Sequence, residues 1–432
     1  MISSLRDLIR KDLDPGSQRG RLVREAGGVF MIQTTAAVLG LVSSIVFARA
    51  LGSYNYGLYS SVIAWQGLIS IVASLGLGIY LLKKSSQTEP ENVPSMLGWA
   101  DCWLLKSGSI AAVVLVIIGV ILPFSKEAMP LFILAAPLPF LGRLVEVRRS
   151  ALLGLERTVF SQWPPLILAP CIVLAGLAVW AMLGFIITAE AILVLSTLSL
   201  LLVLYVFSLR IKASYSRVKT LPDLSIRDAL PFVLVSTLFL LNQKVDIIIL
   251  GILRPQGEVG LYAVASKGAE IVSYILIVVN TVIGARLAAR YKAGDFTGMQ
   301  TLLTASTRRA FAVATMLALV LILAGAPFLD LIFGEEYTAA STALAILAFA
   351  QLLNVGAGSV GLVLNMADGE KLVALGVGAA VVLNAALNFI LIPIYSINGA
   401  AIATGISLVA WNIILVLAVR RRLNLRPTVL GI

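Results

Sequence analysis

Apolar stretches long enough to cross a bilayer follow one another along this chain, with only short polar segments between them. A membrane-spanning helix needs about 20 mainly apolar residues. Such stretches are read near 28–50, 57–82, 99–123, 130–152, 163–183, 185–208, 230–253, 260–285, 311–333, 339–366, 372–393 and 397–419. Lipid offers the backbone no hydrogen bonds, so each span must be a helix or part of a closed barrel. The ~10-residue alternating segments of a barrel are not visible. The expected fold is an all-α polytopic membrane protein with about twelve transmembrane helices. With 59% hydrophobic and 13% charged residues among 432, no segment is left for a soluble domain.

A net charge of +11 would suit a nucleic-acid binder only if the charge were gathered on one face. Instead 27 basic residues fall in the loops that twelve spans place on one side or, as Arg143, Arg148 and Arg149 do, in the half of span four that leads to them, against Arg49, Lys126 and Arg254 on the other. That is the positive-inside pattern, and it predicts a cell-membrane protein with both termini cytoplasmic and no nucleic-acid partner. His is absent, which excludes His-based metal sites, Ser-His-Asp catalysis and His switches. Cys102 and Cys171 are expected as buried small hydrophobes rather than a disulfide or metal site. The GAGSVG run, Gly356 to Gly361, lies inside an apolar span with no preceding strand, so it predicts helix packing or a flexible point rather than a dinucleotide site. No GxxxxGK[ST] occurs, and no catalytic residue, cofactor or metal is expected. Ile2, Leu5, Ile9 and Leu13 recur at helical spacing, which fits a short amphipathic helix or a flexible tail.

The chain divides into an N-terminal segment (1–27), a six-helix half (28–208), a linker (209–229), a second half (230–419) and a tail (420–432). YGLYSSV (Tyr56 to Val62) matches VGLYAVA (Val259 to Ala265), 203 residues further on, and GLER (Gly154 to Arg157) resembles DGEK (Asp368 to Lys371). Six spans per half make the repeats parallel, related by an axis along the membrane normal. Two lobes around a central cavity follow.

The segment from Asn242 to Glu270 carries Lys244 and Asp246 near the end of one span, and Lys267 and Glu270 early in the next. A charge at bilayer depth costs at least ~2.5 kcal/mol, so these four need partners, water or a task. Lys244 lies nine residues before Leu253, about 13 Å below that end at 1.5 Å per residue, and Lys267 is expected at similar depth. Lys267 and Glu270 share a helix face, whereas Lys244 and Asp246 do not, so Asp246 should have a partner other than Lys244. Two readings stay open: a self-neutralising network pinning the hairpin, or a charged lining of the cavity. The matching first-half positions are Leu41, Ser43, Ala64 and Gly67, so the repeat itself does not require these charges. Arg49 ends the first span and is either at the cavity mouth or a snorkelling interfacial residue. Arg143 with Glu146, and Asp101 with Lys106, are expected as interfacial pairs or the lining of an inward entrance.

Three segments carry a resemblance: ARALGSYNYGLYSSVIAW at the first turn, VDIIILGILRPQGEVGLYAVASKGAEI at the seventh span, and PIYSINGAAIATGISLVAWNIIL at the last. With GLER after span four, they resemble the polysaccharide transporter branch of the multidrug/oligosaccharidyl-lipid/polysaccharide exporter superfamily, which includes O-antigen flippases. The resemblance implies alternating access between two lobes and movement of a lipid-linked oligosaccharide across the cytoplasmic membrane, with membrane lipids as partners. Lys244, Lys267 and Arg49 would receive the lipid diphosphate. Asp246 and Glu270 would balance that charge or bind a coupling ion, H+ or Na+. The related lipid II flippases typically carry two additional helices, absent here, which favours polysaccharide precursors. Two rivals are a multidrug extruder of the same superfamily, relying on acids and aromatics, and a membrane polymerase or ligase. The second usually needs a sizeable outer loop, and every outer loop here is short.

Overall fold

The structure, a computed structural model, describes residues 18–122, 126–214 and 224–431. The expected amphipathic segment at 2–13 and linker residues 215–223 lie outside the described residues. Among the described residues there are helices and turns but no strand.

The first helix, α1 (Gln18–Ala73), has 56 residues. Straight, it would extend ~84 Å, far more than a hydrocarbon core of ~30 Å. It is instead folded at Gly52, whose φ of 73° a side chain would oppose. Across that fold the rings of Phe47 and Tyr59 meet edge to face at 5.7 Å, and the Ser44 and Tyr56 hydroxyls lie 2.8 Å apart. Residues 12 apart in an unbroken helix would be ~18 Å apart. The two limbs are therefore separate spans.

The N-terminal lobe continues through α2 (Leu77–Ser85), α3 (Val93–Ile121), α4 (Met129–Ala135), α5 (Pro137–Gly154), α6 (Thr158–Trp163), α7 (Ala169–Met182) and α8 (Ala189–Ser214). The second lobe holds α9 (Ile226–Leu253), α10 (Gln256–Lys292), α11 (Phe296–Leu323), α12 (Gly325–Phe333), α13 (Ser341–Ala357), α14 (Val360–Met366) and α15 (Glu370–Leu423). α15 is folded at Ser396, as α1 is at Gly52. The Ser396 hydroxyl donates to the Glu258 carboxylate, and Arg254 donates to the Ile392 and Pro393 carbonyls at 3.1 and 3.0 Å. Among the described residues nine segments are long and apolar enough to span. Two of these are folded into pairs and α9 adds another, which gives the twelve read from sequence.

Three expectations change. The ninth span is α11, Phe296–Leu323, and not 311–333; residues 325–333 form the separate short helix α12. The polar stretch 286–310, left between two of the spans read from sequence, is almost wholly helical, broken only between Lys292 and Phe296, where Asp295 caps α11 by accepting from the Gly298 N–H at 2.8 Å. Polar residues end a hydrophobic stretch without ending a helix. Cys102 and Cys171 are exposed, because apolar composition does not separate a face turned to protein from one turned to lipid. The GAGSVG run contains a break in the tenth span, with α13 ending at Ala357 and α14 starting at Val360.

The core shows how the lobes are joined. At the end holding Gly52 and Arg254, one apolar cluster runs through both lobes, from Phe47 and Leu58 to Ile248, Tyr262 and Tyr337. Towards the end where α1 begins and α15 stops, two separate clusters replace it. One is built on Leu81, Met96 and Phe207, the other on Leu287, Met299 and Val377. The lobes are thus fused at one end, the closed end, and have largely separate cores at the other, where only the start of α9, through Ala229, packs into the first lobe's cluster.

α1 and α10 make the main contact between lobes. A Cβ on Gly57 would lie 1.7 Å from the Gln256 carbonyl oxygen, and one on Gly260 would lie 2.0 Å from that of Ser53. Ser53 and Gln256, like Gly57 and Gly260, are 203 residues apart. The GLY motif seen twice in sequence is one contact made twice, as across a two-fold axis.

Candidate functional site

α9 and α10 run antiparallel through a short turn at Arg254 and Pro255, which sets Lys244 and Lys267 at comparable depth below it. The Lys267 ammonium lies 2.7 Å from Glu270 Oε2, with their side chains 39% and 54% exposed. Both line a cleft of about 370 Å³ between the first limb of α1 and α10, whose α1 wall includes Ala36, Ala37 and Gly40. Lys244 is half-buried and makes no hydrogen bond or ion pair among the described residues. Its charge interacts through space with Lys267, Glu270 and Asp246.

Asp246 does not join this group. Two residues from Lys244 on a helix, it points the other way, and it is 6% exposed. Its carboxylate accepts from the Tyr262 hydroxyl, from Thr404 Oγ1 at 3.2 Å and from the Ile247 N–H at 3.1 Å. Two hydroxyls and an amide, with no cation in contact among the described residues, make a place where a carboxyl group can hold a proton or a small cation. The expected single cavity with four charges is therefore a cleft lined by Lys267 and Glu270, with Lys244 outside its lining and Asp246 apart inside the second lobe.

Arg49 does not line that cleft either. Its guanidinium donates to the Ile332 carbonyl at 2.9 Å and to that of Leu331, at the C-terminal end of α12. The last carbonyls of a helix are unpaired and carry partial negative charge, so an arginine suits them. The bond ties the first lobe to the second. Nearby the Tyr337 hydroxyl donates to the Ala48 carbonyl at 2.9 Å, and Ser61 donates to Gln256 Oε1 at 2.7 Å. Arg49→Gln should weaken this latch by ~1.5–3 kcal/mol, a tenfold or larger shift towards separated lobes. Spin labels at Tyr54 and Glu335 would report it as a longer distance population.

Arg143 and Glu146 are not paired; Glu146 holds Arg149 at 3.0 Å. Asp101 takes Arg148 bidentately at 2.8 and 3.0 Å, while Lys106 lies 5.6 Å from the Trp103 ring centre. Tyr262, Thr404 and Tyr337 were not singled out from sequence. Tyr262 sits in the repeated GLY motif, the only signal that could have marked it.

Comparison with solved structures gives the same architecture. A lipid II flippase, MurJ, in an inward closed conformation superposes with a TM-score of 0.73 at 14% identity, over 91% of this chain and 87% of that one. An inward-facing multidrug resistance MATE family transporter of the MOP superfamily gives 0.65 at 16% identity, over 90% and 94%. An outward-facing one gives 0.60 at 15% identity, over 95% and 97%. No curated protein matches the sequence. The family model described as "Polysaccharide biosynthesis protein" matches residues 22–287. With well over half its length inside that match and the two-lobe fold of these transporters, the chain belongs to the polysaccharide biosynthesis protein family.

Proposed function

We propose that the protein is a flippase that moves a polyprenyl-diphosphate-linked oligosaccharide across the cytoplasmic membrane by alternating access. The observation that carries this is the cleft between the lobes holding Lys267, Glu270 and, beside them, Lys244. A diphosphate offers charge-assisted hydrogen bonds to both ammonium groups. The lipid tail stays in the bilayer through the gap between α1 and α10, where Ala36, Ala37 and Gly40 leave room. The lobes are residues 28–208 and 230–419, joined by 209–229, with both termini cytoplasmic.

The fused end with its Arg49 latch then faces outwards, and the substrate enters from the end with separate cores. Release requires the latch and the Gly57–Gly260 contact to open. Asp246 sits on the same helix as Lys244, so a proton or Na+ held there can bias the tilt of α9. The family match and the flippase among the structural relatives support this reading.

The test is reconstitution into proteoliposomes with a labelled polyprenyl-diphosphate oligosaccharide, scored by lectin access to the far leaflet. Protein-dependent flipping is expected, and its absence under both H+ and Na+ gradients defeats the proposal. Asp246→Asn keeps the hydrogen-bonding shape and removes the charge. It should lower gradient-driven flipping by ~10-fold or more while gradient-free equilibration continues.

A further inference from the structure

The N-terminal lobe holds a second, open-sided cavity, of about 350 Å³, bordered by both limbs of α1 and by α5, α7 and α8. Arg143 lies in its wall. Eleven residues from the end of α5 at Gly154, or ~16 Å, it is well inside the bilayer. Its Nε is buried and has no acceptor. Glu146, three residues on, is held by Arg149, so among the described residues no carboxylate neutralises Arg143 at contact distance. Ser70, 1% exposed, lines the same cavity, and its hydroxyl also lacks a partner. Ser43 and Gln66 complete a donor-rich wall.

Local sequence keeps this space open. Gly142, next to Arg143, has nothing within 4 Å of where a Cβ would stand. On the fifth span a π turn over Pro164–Leu168 comes just before Ala169 and Pro170, which form part of the wall. Such turns change the helix phase and are frequent at functional sites. Buried polar groups without partners are rare, and two on residues that line one cavity, one of them cationic, ask for an acceptor that brings negative charge. A lone halide would leave most of this volume unfilled; small-molecule pockets start at ~300 Å³.

We propose that this cavity binds an oxyanion, a carboxylate or phosphate on a body no larger than a monosaccharide, with Arg143 as counter-ion and Ser70 as hydroxyl donor. It is distinct from the Lys244–Lys267 cleft and stands whether or not the transport reading does. The oxyanion is either an acidic group of a glycan or a free phosphate.

The full chain in nanodiscs would be titrated with glucuronate, inorganic phosphate and glucose. Saturable binding of at least one acid and none of glucose is expected. Tighter binding of glucuronate points to a glycan acid, and tighter binding of phosphate to the free anion. Arg143→Gln should weaken binding of the acid by at least ~10-fold, with a smaller loss for Ser70→Ala. In the Lys244→Ala, Lys267→Ala background, where the cleft no longer offers its ammonium groups to phosphate, binding of the acid should persist and still depend on Arg143. If Arg143→Gln does not accumulate, Arg143→Lys must still lose affinity, because it keeps the charge but not the fork. The site is refuted if neither acid binds, if glucose binds as well, if the Arg143 variants bind like the parent, or if no acid binding is left in the lysine-free background.

Discussion

Gly57→Ala should yield a protein whose two lobes fold but no longer close against each other at the end they now share. The new methyl would sit 1.7 Å from a backbone carbonyl of α10, and no rotamer change can move it. Overpacking a fitted contact costs ~1–3 kcal/mol when side chains can yield, and more when the obstacle is main chain. Relief comes only by parting α1 from α10. That also breaks the Arg49 latch and the Tyr337–Ala48 bond, both cross-lobe contacts at this end. The clusters towards the chain termini, one within the second lobe and one shared with it only through the start of α9, lie away from this contact. The expected outcome is normal protein abundance, a tenfold or larger fall in the closed population by Tyr54–Glu335 label distances, and export near background. Gly260→Ala should behave alike, because its Cβ would lie 2.0 Å from the Ser53 carbonyl. Closed-state distances unchanged in both variants would mean that this contact does not control closure.

The second large effect concerns the cleft. The Lys244→Ala, Lys267→Ala double variant should lower flipping of the diphosphate-linked substrate by ~100-fold or more. Each lost charge-assisted bond removes ~1.5–3 kcal/mol, and every 1.4 kcal/mol is tenfold. Glu270→Gln separates this from a purely structural network. If the 2.7 Å Lys267–Glu270 pair only braces α10, releasing Lys267 should harm as much as deleting it. If Lys267 receives an anion, Glu270→Gln should retain substrate binding, since a competing carboxylate has gone. Equal loss in both variants, with equal protein levels, would favour the brace.

The fold was legible because lipid is a demanding solvent: it writes long apolar runs into any chain that crosses it, and the +11 charge collects between them. The repeated GLY was legible too, though not its use as the seam between lobes. What could not be read was pairing. Glu146 has an arginine three residues away on either side, and spacing alone does not choose; the structure takes Arg149, which puts the acid N-terminal as the helix dipole prefers. Asp246 was recognisable as costly, but Thr404, 158 residues later, could not be found by local spacing. Arg49 was visible as out of place, while its acceptors are main-chain carbonyls, which leave no trace in sequence.

Because Ser53 and Gly57 meet Gln256 and Gly260 as those meet them, the seam asks nothing of the second half that the first does not already supply. A six-helix ancestor could have made it with an identical copy of itself. Tandem duplication would then have freed one copy to acquire lysines where the other keeps Leu41 and Ala64, the asymmetry that a self-paired ancestor could never have had.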